Sequence, residues 1–240
     1  MEILAIFLQP NHCTKLRMDH IVKILDIHQV THDVKRFKIE KPDGYIFIPG
    51  QATDVSINKN GWDKQKRPFT FTCLNNYNYL ELTIKRYAGH DGVTNHLHGL
   101  KKGDELIIRD VWGVISYKGP GYFIAGGAGI TPFIAILRQL HMENNLSGNT
   151  LFFANKTAAD IIYEDELRSM LGGHFINILS AEQKEKDHFY NGQVDEHFLA
   201  RMKTDYSANF YVCGPPPMIS SVNKLLLKHG ARADNVVFEH

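Results

Sequence analysis

Apolar and polar positions along this chain change rhythm once, near residue 118. Before that point the pattern is one of short β-type runs, at residues 20–27, 34–39, 53–57, 69–73, 79–86 and 105–109. Turn residues separate them at Pro42-Asp43-Gly44, Pro49-Gly50, Asn60-Gly61, Asn75-Asn76 and Lys102-Gly103-Asp104. Regular short strands with almost no helical period predict an antiparallel β-barrel or sandwich. One short helix is expected to interrupt it, with Thr94 as cap and Leu97 and Leu100 at helical spacing.

Lys118-Gly119-Pro120-Gly121 punctuates the chain, and the rhythm after it alternates. Apolar runs at residues 122–125, 151–153, 175–179, 210–212 and 236–238 read as buried strands, and helical segments lie between them. Phe133, Ile136, Leu137 and Leu140 mark one helical face, and a last helix from about residue 216 stops at Gly230. Five buried strands alternating with helices predict an α/β, doubly wound, five-stranded parallel sheet. In such sheets ligands bind beyond the carboxyl ends of the strands. The turns at residues 126–131 and 213–217 both follow a strand, so both can face one crevice.

A length of 240 residues suits two moderate cores. The expected division is an N-terminal extension at 1–18, a barrel domain at 19–117 and an α/β domain at 118–240. A net charge of +1 gives no reason to expect nucleic acid or an anionic membrane as partner. Cys13, Cys73 and Cys213 are odd in number and without metal-ligand spacing, which fits a reducing cytoplasm. The apolar run at 3–8 is too short to span a bilayer, and no membrane insertion is expected.

Three motifs carry candidate chemistry. Tyr122 to Pro132 places a strand against the turn Gly126-Gly127-Ala128-Gly129-Ile130-Thr131, with Pro132 at a helix-start position. Glycines let backbone N–H groups approach an anion, and the helix start points partial positive charge at it. Upstream stands Arg67-Pro68-Phe69-Thr70, and downstream Cys213-Gly214-Pro215-Pro216-Pro217-Met218. Taken singly, each has a plainer reading: a structural turn, an alternating strand with a solvated arginine, and a cysteine buried as a small hydrophobe.

A barrel followed by a doubly wound domain, with these motifs in this order, resembles the ferredoxin-NADP reductase family of flavoproteins over about residues 19–240. The resemblance implies a flavin in the first domain, FAD or else FMN, and NADH or NADPH in the second, with hydride crossing between them. Matched to the family's Arg-x-Tyr-Ser/Thr pattern, Arg67 would pair with flavin phosphate, Phe69 would stack on the isoalloxazine ring and Thr70 would bond near its N5, with Pro68 between. Phe69 keeps the stacking surface of the family's tyrosine and lacks its hydroxyl. The segment Ile84-Lys85-Arg86 through Gly92-Val93-Thr94 would wrap the flavin pyrophosphate, Lys85 and Arg86 neutralising charge. His90, His96 and His98 lie nearby without a ligand cluster, and no metal is expected.

On the nucleotide side the resemblance lays the pyrophosphate over Gly127, Ala128, Gly129 and Thr131. Cys213, with Gly214 and Pro215, would lie beside the nicotinamide, and Glu239 beside Phe238 would complete a catalytic set with Thr70 and Cys213. Where relatives that bind the 2′-phosphate place arginines, this chain has Lys156 and the run Ser180-Ala181-Glu182, with Gln193 further on. Lys184 or Lys186 could still meet phosphate, but the reading favours NADH.

Three scattered cysteines cannot ligate an iron–sulfur cluster, so electrons are expected to leave for a separate acceptor. A ferredoxin, a flavodoxin, an oxygenase component or a small molecule would serve. Two other readings stand beside this flavoprotein reductase: an NAD(P)H-dependent reductase of free flavin or ferric chelate, and a nucleotide-binding regulatory subunit without redox chemistry.

Overall fold

A computed structural model describes residues 18–87, 89, 91–113, 115–184 and 188–238. Six strands come first: β1 (His20–Thr31), β2 (Val34–Glu40), β3 (Ala52–Ile57), β4 (Arg67–Thr70), β5 (Tyr79–Lys85) and β6 (Glu105–Trp112). The pairings are antiparallel, in the order β4-β3-β6-β1-β2-β5. The two ends of that order meet through a bridge between Phe71 and Leu82, and Thr72 N–H donates to the Glu81 carbonyl at 2.9 Å. That contact closes the sheet into a barrel. Alternate residues such as Phe37, Ile39, Leu80, Leu82 and Ile84 fill its interior. All six expected strands are present, but the fourth, expected at residues 69–73, is β4 at Arg67–Thr70, with Phe71 forming only the closing bridge.

The expected helix is present too, as α1 (Val93–Leu97), but Thr94 does not cap it. Gly92 holds the N-cap in an extended conformation, and its carbonyl accepts from Asn95 and His96 at 3.0 and 3.2 Å. Thr94 therefore lies inside the helix; glycine and threonine are about equally good caps, so residue type alone does not choose between them.

The second half contains β7 (Gly121–Gly126), α2 (Thr131–Met142), β8 (Thr150–Asn155), α3 (Glu164–Leu171), β9 (Phe175–Leu179), β10 (Phe189–Asn191), α4 (Glu196–Arg201), β11 (Asn209–Cys213), α5 (Pro216–Lys228) and β12 (Val236–Phe238). The strands pair in parallel in the order β10-β9-β8-β7-β11-β12. The five predicted strands are all there, and β10 adds a sixth at the edge beside β9. Its three residues are half-buried or exposed, too short and too mixed to show a period. Pro132 stands in the first turn of α2, and Gly230, at φ +93°, follows the end of α5.

Helix α2 is the joint between the two halves. Pro132 to Leu137 are all buried, far more than one helical face, because α2 has the sheet on one side and the barrel on another. A Cβ on Gly50 of the barrel would lie 3.3 Å from Ile136 Cδ1 and only 2.3 Å from the Ile115 carbonyl oxygen. Val34, at the start of β2, belongs to the same buried cluster as Phe133, Ile161 and Ile162. Among the described residues no helix is long and apolar enough to cross a membrane.

Candidate active site

The strand order reverses between β7 and β11, and the helices that follow them lie on opposite faces. Helix α2 packs through Phe133 with Phe123 and Phe153, whereas α5 packs with Ile124, Phe152 and Val212. This is the switch point at which a doubly wound sheet opens a crevice. Both turns predicted to face one crevice are there, and they are pressed together. A Cβ on Gly129 would fall 2.3 Å from the Cys213 carbonyl oxygen; one on Gly126 would fall 2.4 Å from Met218 Sδ and 2.9 Å from Pro215 Cδ. Gly126 and Gly129 are thus required by the packing of turn on turn. Gly127 differs, with φ +52° and no atom within 4 Å of the place a Cβ would take. Open backbone of this kind is what a close-approaching ligand needs. Ala128 offers its carbonyl to Thr131 Oγ1 at 3.0 Å, which ties the turn to the first residue of α2.

Cys213 ends β11 opposite Ala125 of β7 and is half-buried, followed by half-buried Gly214 and exposed Pro215. Phe238 pairs in register with Val212, so β12 runs beside the same turn. Glu239, His90 and Lys186 lie outside the described residues.

On the barrel, β4 presents Arg67 and Pro68 exposed and Phe69 and Thr70 half-buried. Phe69 packs on the barrel core and keeps part of its surface open. The Arg67 guanidinium donates to the Lys66 carbonyl at 2.7 Å, and among the described residues it pairs with no carboxylate. Gly92, with no atom within 4 Å of a Cβ position, and half-buried Thr94 stand at the start of α1 with buried Val93. Ile84 points into the barrel core, and Arg86 is exposed.

Lys85 has other business. Its ammonium lies 3.0 Å from Asp33 and 3.9 Å from Asp160, so it links the barrel to the turn after β8 instead of standing open to phosphate. Burial works against the Asp33 charge, yet contact with Lys85 outweighs it and holds this carboxyl below the ordinary range. With His32, these two carboxylates form a group of metal-ligand type. The Lys85 ammonium already supplies positive charge there.

At the carboxyl edge of β8 and β9 the backbone zips two turns together: Ser180 N–H donates to the Asn155 carbonyl at 3.1 Å and Ala181 N–H to that of Lys156 at 2.9 Å. Lys156 and Ser180 are exposed. Glu182 accepts from Ala158 N–H at 2.7 Å and pairs loosely with Lys184 at 3.8 Å. Asn155 escaped the sequence reading. It is 8% exposed, and neither its Nδ2 nor its Oδ1 has a protein partner. A buried amide left unmatched at the carboxyl edge of a sheet is a place for a polar ligand to complete. The signal for it was a polar residue closing the apolar run 151–154.

A second missed set lies where β5 meets α2 and α3. Arg138 Nη1 donates to Glu81 Oε1 at 2.7 Å and to the Thr72 carbonyl, while Nε and Nη2 fork onto Glu166 at 2.6 and 2.8 Å. Thr72 Oγ1 donates to Glu81 Oε1 at 2.9 Å, and Thr83 shares a hydrogen bond of 3.1 Å with the Tyr163 hydroxyl. Burial opposes the Arg138 charge, but Glu166 and Glu81 overcome it and raise its pKa. Burial, aided by the Glu81 charge, pushes the Tyr163 hydroxyl up to about 12, so it stays protonated. Cys73, whose Sγ accepts from Glu81 N–H, is likewise pushed up to about 12 by burial and offers no thiolate.

A closed antiparallel barrel with an open cationic strand, joined to a doubly wound sheet with glycine turns at its switch point, defines a two-domain architecture of the kind that binds a flavin and a nicotinamide nucleotide. Residues 21–117 match the oxidoreductase FAD-binding domain family, and residues 123–224 match the oxidoreductase NAD-binding domain family. The chain belongs to the ferredoxin reductase-like flavoprotein oxidoreductases. It is 26% identical over 232 residues to the reductase component of propane 2-monooxygenase from Rhodococcus jostii, covering 90% of this chain and 62% of that one. It is 28% identical over 225 residues to the glycine betaine monooxygenase reductase subunit from Pseudomonas aeruginosa, covering 88% and 61%. This chain therefore spans about three fifths of the length of those curated relatives. A ferredoxin NADP+ reductase from Neisseria gonorrhoeae, with bound FAD and NADP, shares the fold at a TM-score of 0.80 and 20% identity, with 92% of this chain and 98% of that chain covered.

Proposed function

We propose that this chain is an NADH-dependent flavoprotein reductase that serves an acceptor carried outside its described residues. The observation that carries the reading is the cradle at the switch point, where Gly127 leaves backbone open beside the Cys213 turn. When bound, the nicotinamide supplies a hydride and FAD accepts it, releasing electrons onward one or two at a time. The residues bind and orient. Gly127, Ala128 and Thr131 would hold the nucleotide pyrophosphate at the start of α2, where the positive end of the helix dipole favours an anion. Asn155 would use its unmatched amide on the same ligand. Phe69 would cover one face of the flavin ring, Thr70 would donate a hydrogen bond near its reactive nitrogen, and Arg67 and Arg86 would meet its phosphates.

Cys213, at the end of β11, would set the approach of the nicotinamide, with Phe238 on the neighbouring strand β12; Glu239, the next residue in the sequence, would complete the set. Cys213→Ala is expected to slow single-turnover flavin reduction with folding unchanged; an unaltered rate would remove the thiol from the site. Glu182, held at the turn after β9 by Ala158, brings negative charge where a 2′-phosphate would sit, which supports NADH over NADPH. For the acceptor, an oxygenase component is the class favoured by relatives that are oxygenase reductases.

The test is an anaerobic absorbance spectrum of the purified protein before and after NADH, and in a second sample NADPH. Flavin bands that bleach with NADH support the reading. A more than tenfold better catalytic efficiency with NADPH, about 1.4 kcal/mol, rejects the NADH preference. A colourless protein that takes up neither FAD nor FMN points instead to a regulatory nucleotide-binding subunit.

A further inference from the structure

Strand β5 alternates as a barrel strand should, with Leu80, Leu82 and Ile84 inward and Glu81 and Thr83 outward. Yet the outward pair is as buried as the core, at 4% exposure each, because Arg138 of α2, Tyr163 and Glu166 cover them. A barrel wall that faced water would have no use for a buried carboxylate at this place. Burying Glu81 is costly unless it is paired and hydrogen-bonded, and such a pair adds less to stability than apolar packing of the same volume would. What a forked guanidinium does supply is direction, since it fixes both distance and plane.

The rigid elements on either side lead to the two ligand turns. Arg138 sits on α2 seven residues beyond Thr131, about two turns of one unbroken helix. Its other partner, the Thr72 carbonyl, is two residues beyond Thr70 in the chain segment that closes the barrel. A tilt at this joint would therefore move the nucleotide turn relative to the flavin strand with little slack between them. Tyr163 reinforces the joint from a left-handed backbone, φ +54°, a conformation a bulky residue keeps only where its surroundings hold it.

We infer that Arg138, through Glu81 and the Thr72 carbonyl, is a positioning residue for hydride transfer that sets the alignment of the two domains across the active site. The inference rests on the reductase reading above. Hydride transfer needs reacting atoms about 3–3.5 Å apart, and about 1 Å of misplacement costs on the order of a hundredfold in rate.

The experiment compares the parent flavoprotein with the double variant Arg138→Met/Glu81→Gln, which removes the buried pair together, leaving Arg36 its Asp26 partner and Glu166 unpaired but partly exposed to water, and with Arg138→Lys, which keeps the charge and loses the fork. Flavin content, nucleotide dissociation constant, single-turnover flavin reduction and reoxidation by ferricyanide are read for each. Deuterium uptake of residues 70–73 and 131–140 is followed in the flavin-free proteins. Both variants are expected to keep flavin, to bind NADH within about twofold of the parent and to reoxidise normally. They should be reduced at least about tenfold more slowly, lose the long-wavelength charge-transfer band of the NADH complex, and take up deuterium faster in both segments. A double variant reduced at the parent rate, or slowed only as far as its nucleotide affinity falls, overturns the inference. A parent flavoprotein that neither nucleotide reduces brings down the reductase reading itself, and the deuterium comparison tells the two failures apart.

Discussion

Gly129→Ala is expected to slow NADH-driven flavin reduction by about two orders of magnitude while leaving FAD in place. The added methyl would lie 2.3 Å from the Cys213 carbonyl oxygen, 2.5 Å from its carbon and 2.6 Å from Gly214 N, all backbone atoms that no rotamer can withdraw. Relief requires the turn after β7 and the turn after β11 to part. Those turns hold the nucleotide pyrophosphate and the nicotinamide in the proposed function, so their separation misplaces the hydride donor directly. Overpacking of this kind costs about 1–3 kcal/mol or more, and in a chain of this size each kcal/mol lowers the Tm by about 2–4 °C. The barrel, with its own buried cluster, should keep its flavin. Stopped-flow reduction and a thermal melt check both halves of this expectation. A variant reduced at the parent rate with an unchanged melt would show that the two turns are not the nucleotide cradle.

Arg67→Ala should weaken FAD binding by about 10- to 100-fold with little change in the melting of the flavin-free protein. Arg67 is exposed and, among the described residues, has no carboxylate partner, so its guanidinium is available to an anion. Hydrogen bonds to charged groups contribute about 1.5–3 kcal/mol, which sets that range. Lys85→Ala makes the contrast. Its ammonium is held by Asp33 and Asp160, so its loss should lower stability and leave flavin affinity nearly unchanged. Titration of the flavin-free variants with FAD separates the two cations; equal affinity of Arg67→Ala and parent would remove Arg67 from the phosphate site.

Basic residues beside a flavin motif look alike in one dimension, and this is where the sequence reading was least able to discriminate. Arg67 begins a strand and Lys85 ends one, and only the packing of the β1–β2 hairpin and the turn after β8 commits Lys85 to carboxylates. The glycines of residues 126–129 show the same limit. All were legible as residues that let backbone come close, but whether to a ligand or to another turn depended on which strand lay next to β7. Arg138, Glu81 and Glu166 were invisible as a set because they come from distant segments, and each is an ordinary polar residue in its own helix or strand. Asn155 was hidden by the same ordinariness, since an unmatched amide is defined by what fails to surround it.

The sequence by itself determined the two-domain order, the six barrel strands, five of the six parallel strands, the helix start at Pro132 and the family to which the chain belongs. Those features are local: a period of two or of three to four, a turn residue at a fixed offset, a motif of contiguous residues. Tertiary structure alone decided the partners. It chose Gly92 over Thr94 as cap, added β10 as an edge, pressed the Cys213 turn against Gly129, and buried the polar outer face of β5 beneath α2 and α3. Burial and pairing arise from residues far apart in the chain that share one place, and the cost of an unpaired charge there is set by the neighbours that the fold supplies.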